Sequence, residues 1–77
     1  MSTRLPQVSG RKVATALVRT GFTLLKKRGK GSHLFLFRGD PPTAITVPNH
    51  RVVRRGTLRA IIRQAGLTVD EFNQLLK

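Results

Sequence analysis

His33 and His50 are the chain's only side chains whose ordinary proton chemistry falls near neutral pH, and there is no Cys. The only carboxylates are Asp40, Asp70 and Glu71. This inventory decides which reactions are open. A two-metal phosphodiesterase needs several carboxylates converging on hard cations, and three acids scattered between a turn and a helix start do not assemble that cluster. Two histidines without Cys fall short of a closed zinc site, so no metal and no cofactor is expected. Ser32 precedes His33, but neighbours along a strand point to opposite faces and do not share a nucleophile–base hydrogen bond. Ser32 reads instead as a loop-end hydroxyl that bonds backbone or a phosphate, an accessory candidate at most.

One reaction class needs only an imidazole. RNA carries its own nucleophile: a base takes the 2′-hydroxyl proton and the oxygen attacks the adjacent phosphorus. An imidazole, with a reference pKa of about 6.5, supplies such a base at neutral pH, and surrounding cations stabilise the charge that develops on the phosphorane. For His33 the residue types leave two readings open, general base or hydrogen-bonded surface histidine. His50 is equally open to phosphate contact, catalytic assistance or a role in loop structure.

The charge balance names the class of ligand. Fifteen Lys and Arg against three acids give a formal charge of +12, a field that draws polyanions and makes their binding salt-dependent. Nucleic acid is the leading partner. Phosphate contacts are expected from Lys26, Lys27, Arg28 and Lys30 beside a hairpin, and from Arg51, Arg54 and Arg55 beyond His50. Phe35 and Phe37 would suit base stacking if their sheet face were open. In so small a domain, however, aromatic residues alternating on a central strand are expected in the core.

The elements that must position these residues follow from periodicity and caps. Residues 1–77 are expected to form one domain. Ser9 caps a first helix, Val8 and Val13 staple it, Val13, Ala16, Leu17 and Thr20 line one face, and Gly21 supplies the stop. A strand over 22–27, the Arg28-Gly29-Lys30-Gly31 reversal, a strand over 33–38, the turn Gly39-Asp40-Pro41-Pro42 and a strand over 43–47 closed by Pro48 make a three-stranded antiparallel meander. Period two sends His33, Phe35 and Phe37 to one face, Leu34 and Leu36 to the other.

After the basic connection 49–56, Thr57 is expected to cap a second helix with Leu58, Ile61, Ile62 and Ala65 as its apolar stripe and Gly66 at its end. Thr68 and Glu71 form a capping box for a short helix over 69–76 that buries Phe72, Leu75 and Leu76. The fold class is α+β: helix, three antiparallel strands, helix and a short C-terminal helix, with both longer helices on one face of the sheet, the arrangement of a double-stranded-RNA-binding domain. No apolar stretch reaches the roughly 20 residues of a membrane span, Met1 to Pro6 lacks a signal-like apolar core, and the absence of Cys suits a cytoplasmic location.

Gly21-Phe22, Gly31-Ser32-His33, Val47-Pro48-Asn49-His50, Gly56-Thr57-Leu58, Gln64-Ala65-Gly66-Leu67 and Glu71-Phe72, in this order and at these distances, closely resemble the HicA toxin family over nearly the entire chain. The resemblance implies a metal-independent mRNA-cleaving toxin, an endoribonuclease of the double-stranded-RNA-binding-domain fold, held inactive by a HicB antitoxin. The histidine of the Gly-Ser-His motif is catalytic in that family and corresponds to His33; the histidine after Val-Pro corresponds to His50, an accessory candidate. The implied antitoxin should be acidic and able to cover His33, with the toxin alone a monomer and a larger assembly formed with its partner. The chain departs from the family pattern in a slightly longer hairpin between Phe22 and Gly31, and in Val52 where an acidic residue often precedes the second helix.

Two other readings share this composition. A non-catalytic RNA-binding module would keep fold and charge without needing His33. A DNA-binding regulator would use Arg59 and Arg63 of the second helix to read a groove.

Overall fold

A computed structural model describes residues 4–25 and 33–77. The order is α1 (Gly10–Val18), β1 (Thr23–Leu25), β2 (His33–Gly39), β3 (Pro42–Pro48), α2 (Arg55–Gln64) and α3 (Val69–Leu75). The strands form one antiparallel sheet, β1-β2-β3. This is the α+β arrangement of a double-stranded-RNA-binding domain that the element order implies.

Helix α1 begins where Ser9 Oγ accepts a hydrogen bond from the Lys12 amide at 3.2 Å. It stops at Gly21, with φ +103°. There the Phe22 amide bonds the Leu17 carbonyl at 3.2 Å and the Gly21 amide bonds that of Val18 at 3.1 Å, the paired bonds of a Schellman stop. The same pattern closes α2: Gly66, φ +77°, with Leu67 bonded back to Ile62 at 3.1 Å and Gly66 to Arg63 at 3.0 Å. Both bonds of a Thr68–Glu71 capping box are present at the start of α3, at 2.8 and 3.0 Å.

The start of α2 differs from the sequence expectation. Thr57 lies inside the helix; the N-cap is Arg54, whose side chain makes no capping bond. The cause is tertiary. Val53 is buried and its amide bonds the Val8 carbonyl at 2.8 Å, so the chain already runs in helical register from the Arg54 carbonyl, which accepts from Leu58 at 2.8 Å. Burying Val53 fixes the helix start more firmly than a hydroxyl one turn later.

One face of the sheet carries the core. Leu34 and Leu36 of β2 and Ile45 and Val47 of β3 pack under Val13, Ala16 and Leu17 of α1 and Leu58, Ile61 and Ile62 of α2, with Phe72 of α3 sealed among them. The other face is uncovered, and this corrects the expectation for two aromatic residues. Phe35 and Phe37 are 37% and 42% exposed, not core. Helices α1 and α2 pack over the Leu34–Leu36 side, with α3 set against both of them, so the alternate set on β2 meets solvent.

Two arginines serve the scaffold. Arg19 donates to the Leu75 and Lys77 carbonyl oxygens at 2.6 and 2.8 Å, holding the end of α3 against the end of α1. Arg38, at the far end of β2, places its guanidinium 4.6 Å from the Phe22 ring centroid and donates to the Ala65 carbonyl at the end of α2 at 3.3 Å.

Gly10 sits at a close backbone approach. Its amide donates to the His50 carbonyl at 2.9 Å, and a Cβ at this position would collide with the Pro48 carbonyl oxygen. Gly56, in the first turn of α2, faces open space. Gly10→Ala is therefore expected to destabilise the domain by roughly 1–3 kcal/mol through forced backbone displacement, whereas Gly56→Ala should be neutral or stabilising by up to about 1 kcal/mol through helix propensity. Thermal unfolding reads the difference, because each kcal/mol moves the midpoint of a domain this size by about 4–8 °C.

Candidate functional site

The site is built where β2 begins and β3 ends. His33 is the first residue of β2 and lies opposite Pro48, the last residue of β3. The register thus places His33 at the sheet end from which the Asn49–His50 segment departs. His33 and His50 are both exposed. The backbone of His50 is fixed by its carbonyl, which accepts the Gly10 amide, so this histidine sits on an anchored loop.

That anchoring brings two helix starts to the same place. The first residue of α1 is bonded to His50, and the 49–54 segment runs directly into α2. Neither helix has an acidic residue in its first turn, so no side-chain charge there offsets the positive ends of the two backbone dipoles beside the histidine loop. Arg51, Arg54 and Arg55 add exposed guanidiniums there, and Arg55 shares a shallow pocket with Arg4, Leu5 and Gln7. Among the described residues, Arg19 and Arg38 are the arginines whose guanidiniums bond backbone carbonyl oxygens of other elements, whereas these three are exposed along the loop.

The acids lie at the other end of the molecule. Asp40 is in the β2–β3 turn, at the opposite end of the sheet from His33. Asp70 and Glu71 open α3, just past the end of α2. The Arg38–Ala65 bond ties those two regions together as one pole. Among the described residues, no group of three or more His, Cys, Asp or Glu side chains gathers to hold a metal ion. No helix among them is long and apolar enough to cross a membrane.

The structure brings together part of the sequence-predicted site: His33 and His50, with Arg51, Arg54 and Arg55 along the same connection. Ser32, Lys26, Lys27, Arg28 and Lys30 lie outside the described residues, as does the longer hairpin. Arg59 and Arg63 are exposed on α2. Arg63 is in its last turn, away from the histidine loop. What the sequence reading missed is the contribution of the two helix starts, because the Gly10–His50 bond that gathers them joins residues 40 positions apart. Phe35 and Phe37, whose alternation on a central strand predicts core, instead continue the face on which His33 stands. Beside them Leu25, Ala44 and Thr46 line a shallow depression open to solvent.

No curated protein matches the sequence. A family model described as HicA toxin of bacterial toxin-antitoxin matches residues 10–67. That match runs from the first residue of α1 through the sheet, His33, the His50 loop and α2 to the residue after its glycine stop, and the chain belongs to the HicA toxin family.

Proposed function

We propose that this toxin is a metal-independent endoribonuclease that cleaves mRNA, with His33 as its general base and acid. The observation that carries the reading is the placement of His33: exposed, at the start of β2, at the sheet end where two helix starts without acidic residues and Arg51, Arg54 and Arg55 concentrate positive charge. A phosphodiester held by those cations presents the adjacent ribose to the imidazole.

The chemistry follows from the donor set. The neutral imidazole takes the 2′-hydroxyl proton, and the 2′ oxygen forms a bond to phosphorus. The P–O5′ bond breaks, leaving a 2′,3′-cyclic phosphate, and the departing 5′ oxygen takes up a proton. His33 returns that proton itself or passes the task to His50, the accessory candidate on the anchored loop. Guanidiniums and backbone dipoles stabilise the charge on the equatorial phosphoryl oxygens. The three acids, divided between a turn and the start of α3, offer no carboxylate cage for a pair of divalent cations.

The toxin's counterpart in the pair is, in this reading, a HicB-type antitoxin that presents carboxylates to the arginine loop and covers His33. An acidic partner fits a surface whose own acids all lie at the opposite pole. Free toxin is a monomer acting in the cytoplasm, and binding of the antitoxin builds the larger, silent assembly.

Expression of the His33→Ala variant should abolish growth arrest, and the purified variant should cleave RNA about 10²- to 10⁴-fold more slowly while still binding it. Cleavage and arrest that survive this substitution would leave a non-catalytic RNA-binding module as the correct reading. His50→Ala should produce a smaller loss of rate.

Binding of single-stranded RNA should weaken linearly in a plot of log affinity against log salt. Replacing Arg51, Arg54 or Arg55 by Ala should each lower the steepness by about 0.7, the value for one phosphate contact. An unchanged slope in all three variants would remove the loop from the phosphate path.

A further inference from the structure

We infer that the uncovered face of the sheet is a base-stacking platform for unpaired nucleotides, on which Phe35 and Phe37 set the register that delivers a phosphodiester to His33. The inference rests on the assignment of His33 as the cleaving residue and goes beyond it by naming the strandedness of the substrate.

Three observations meet on this face. The first is collinearity. His33, Phe35 and Phe37 alternate along β2 with Leu34 and Leu36 buried between them, so the imidazole and both rings stand in a row on one side of the sheet. The second is access. Phe37 is flanked across the sheet by Thr23 and Ala44, and Phe35 by Leu25 and Thr46. Three of these four neighbours are small, and Phe35 and Phe37 line with Leu25, Ala44 and Thr46 a shallow depression open to solvent. The third is charge. Neither the rings nor these neighbours include a carboxylate, in a chain of net charge +12. A sheet face with exposed aromatic rings and no acid suits an anionic ligand with flat apolar parts, which describes a nucleotide chain.

Spacing selects unpaired RNA. Alternate side chains on a strand are about 6.5–7 Å apart, well beyond the van der Waals separation of roughly 3.5–4 Å at which two stacked bases touch. Bases lying on Phe35 and Phe37 must be splayed from one another, which paired RNA does not permit without melting. The chain thus adopts the arrangement of a double-stranded-RNA-binding domain yet presents a surface built for single strands. The row ends at His33, so a nucleotide chain seated on the two rings and continuing along β2 arrives at the imidazole and, beyond it, at the arginine loop.

The test uses a fluorescent single-stranded oligoribonucleotide with 2′-O-methyl groups throughout, which lacks the nucleophile and so reports binding independently of cleavage. Phe35→Ala and Phe37→Ala should each weaken its binding about five- to a hundredfold. Binding to a duplex of the same sequence should change far less. At 37% and 42% exposure the rings still cover part of the sheet, so each variant should fold with a melting temperature lowered by about 4–8 °C, measured alongside, and binding is compared well below it.

Because the chain contains no Trp, Phe35→Trp supplies a single indole reporter. This variant should retain binding, and its fluorescence should be quenched when the single strand stacks on it. Alanine variants that bind the single strand as tightly as the parent, or an indole signal that RNA leaves unchanged, overturn the inference. So does loss of antitoxin binding in these variants with RNA binding intact, which would assign the face to the protein partner. The role of His33 fails on a different measurement, cleavage of unmodified RNA by His33→Ala.

Discussion

Two backbone hydrogen bonds between segments distant in sequence hold the functional end of this toxin together. Gly10 donates to His50 at 2.9 Å and Val53 to Val8 at 2.8 Å. Between them they stitch the entrance of α1 to the connection that follows β3, and so determine where α2 begins. The close approach leaves no room for a side chain at position 10. It also satisfies backbone groups that a buried helix start and a loop would otherwise leave unpaired. The histidine loop, the arginines and both helix dipoles share one place because of this stitch.

Much of the fold is legible in the sequence because its signals are local. Ser9, Gly21 and Gly66 end or begin helices through bonds reaching only three to five residues along the chain, and Thr68 with Glu71 does the same for α3. The apolar stripes of α1 and α2 are buried as their periodicity requires. The misplaced cap at Thr57 shows the boundary of that logic: cap chemistry is local, but the buried Val53 that overrode it is anchored by Val8, far away in sequence. The aromatic residues of β2 fail for a related reason. Period two states that Phe35 and Phe37 share a face, but with Leu on the other side both faces read as apolar. Which one the helices cover is decided by packing.

The candidate site divides in the same way. In the sequence His33 stands out by residue type and by family resemblance, while its exposed place at the sheet end, on which the proposed role rests, comes from the fold. Its position beside the departing His50 loop needs the β2–β3 register, which follows from the turn and the alternation once the hairpin is recognised. Among the cations, no local mark in the sequence separates those that hold the fold from those that face solvent. Arg38 is engaged by Phe22, Thr43 and the end of α2, and Arg19 by the end of α3. Arg51, Arg54 and Arg55 are exposed along the loop. Only the folded contacts make that distinction.

The placement of all three acids at the pole opposite the histidine loop gives the molecule a lopsided electrostatic profile in addition to its net charge. A lopsided cation experiences a torque near a polyanion as well as an attraction. It rotates during approach so that its more positive end leads. An encounter with any polyanion is therefore biased in orientation before contact forms, and fewer such encounters are wasted on the wrong side. Added salt shortens the range over which this turning acts, so ionic strength sets the distance at which the orientation begins.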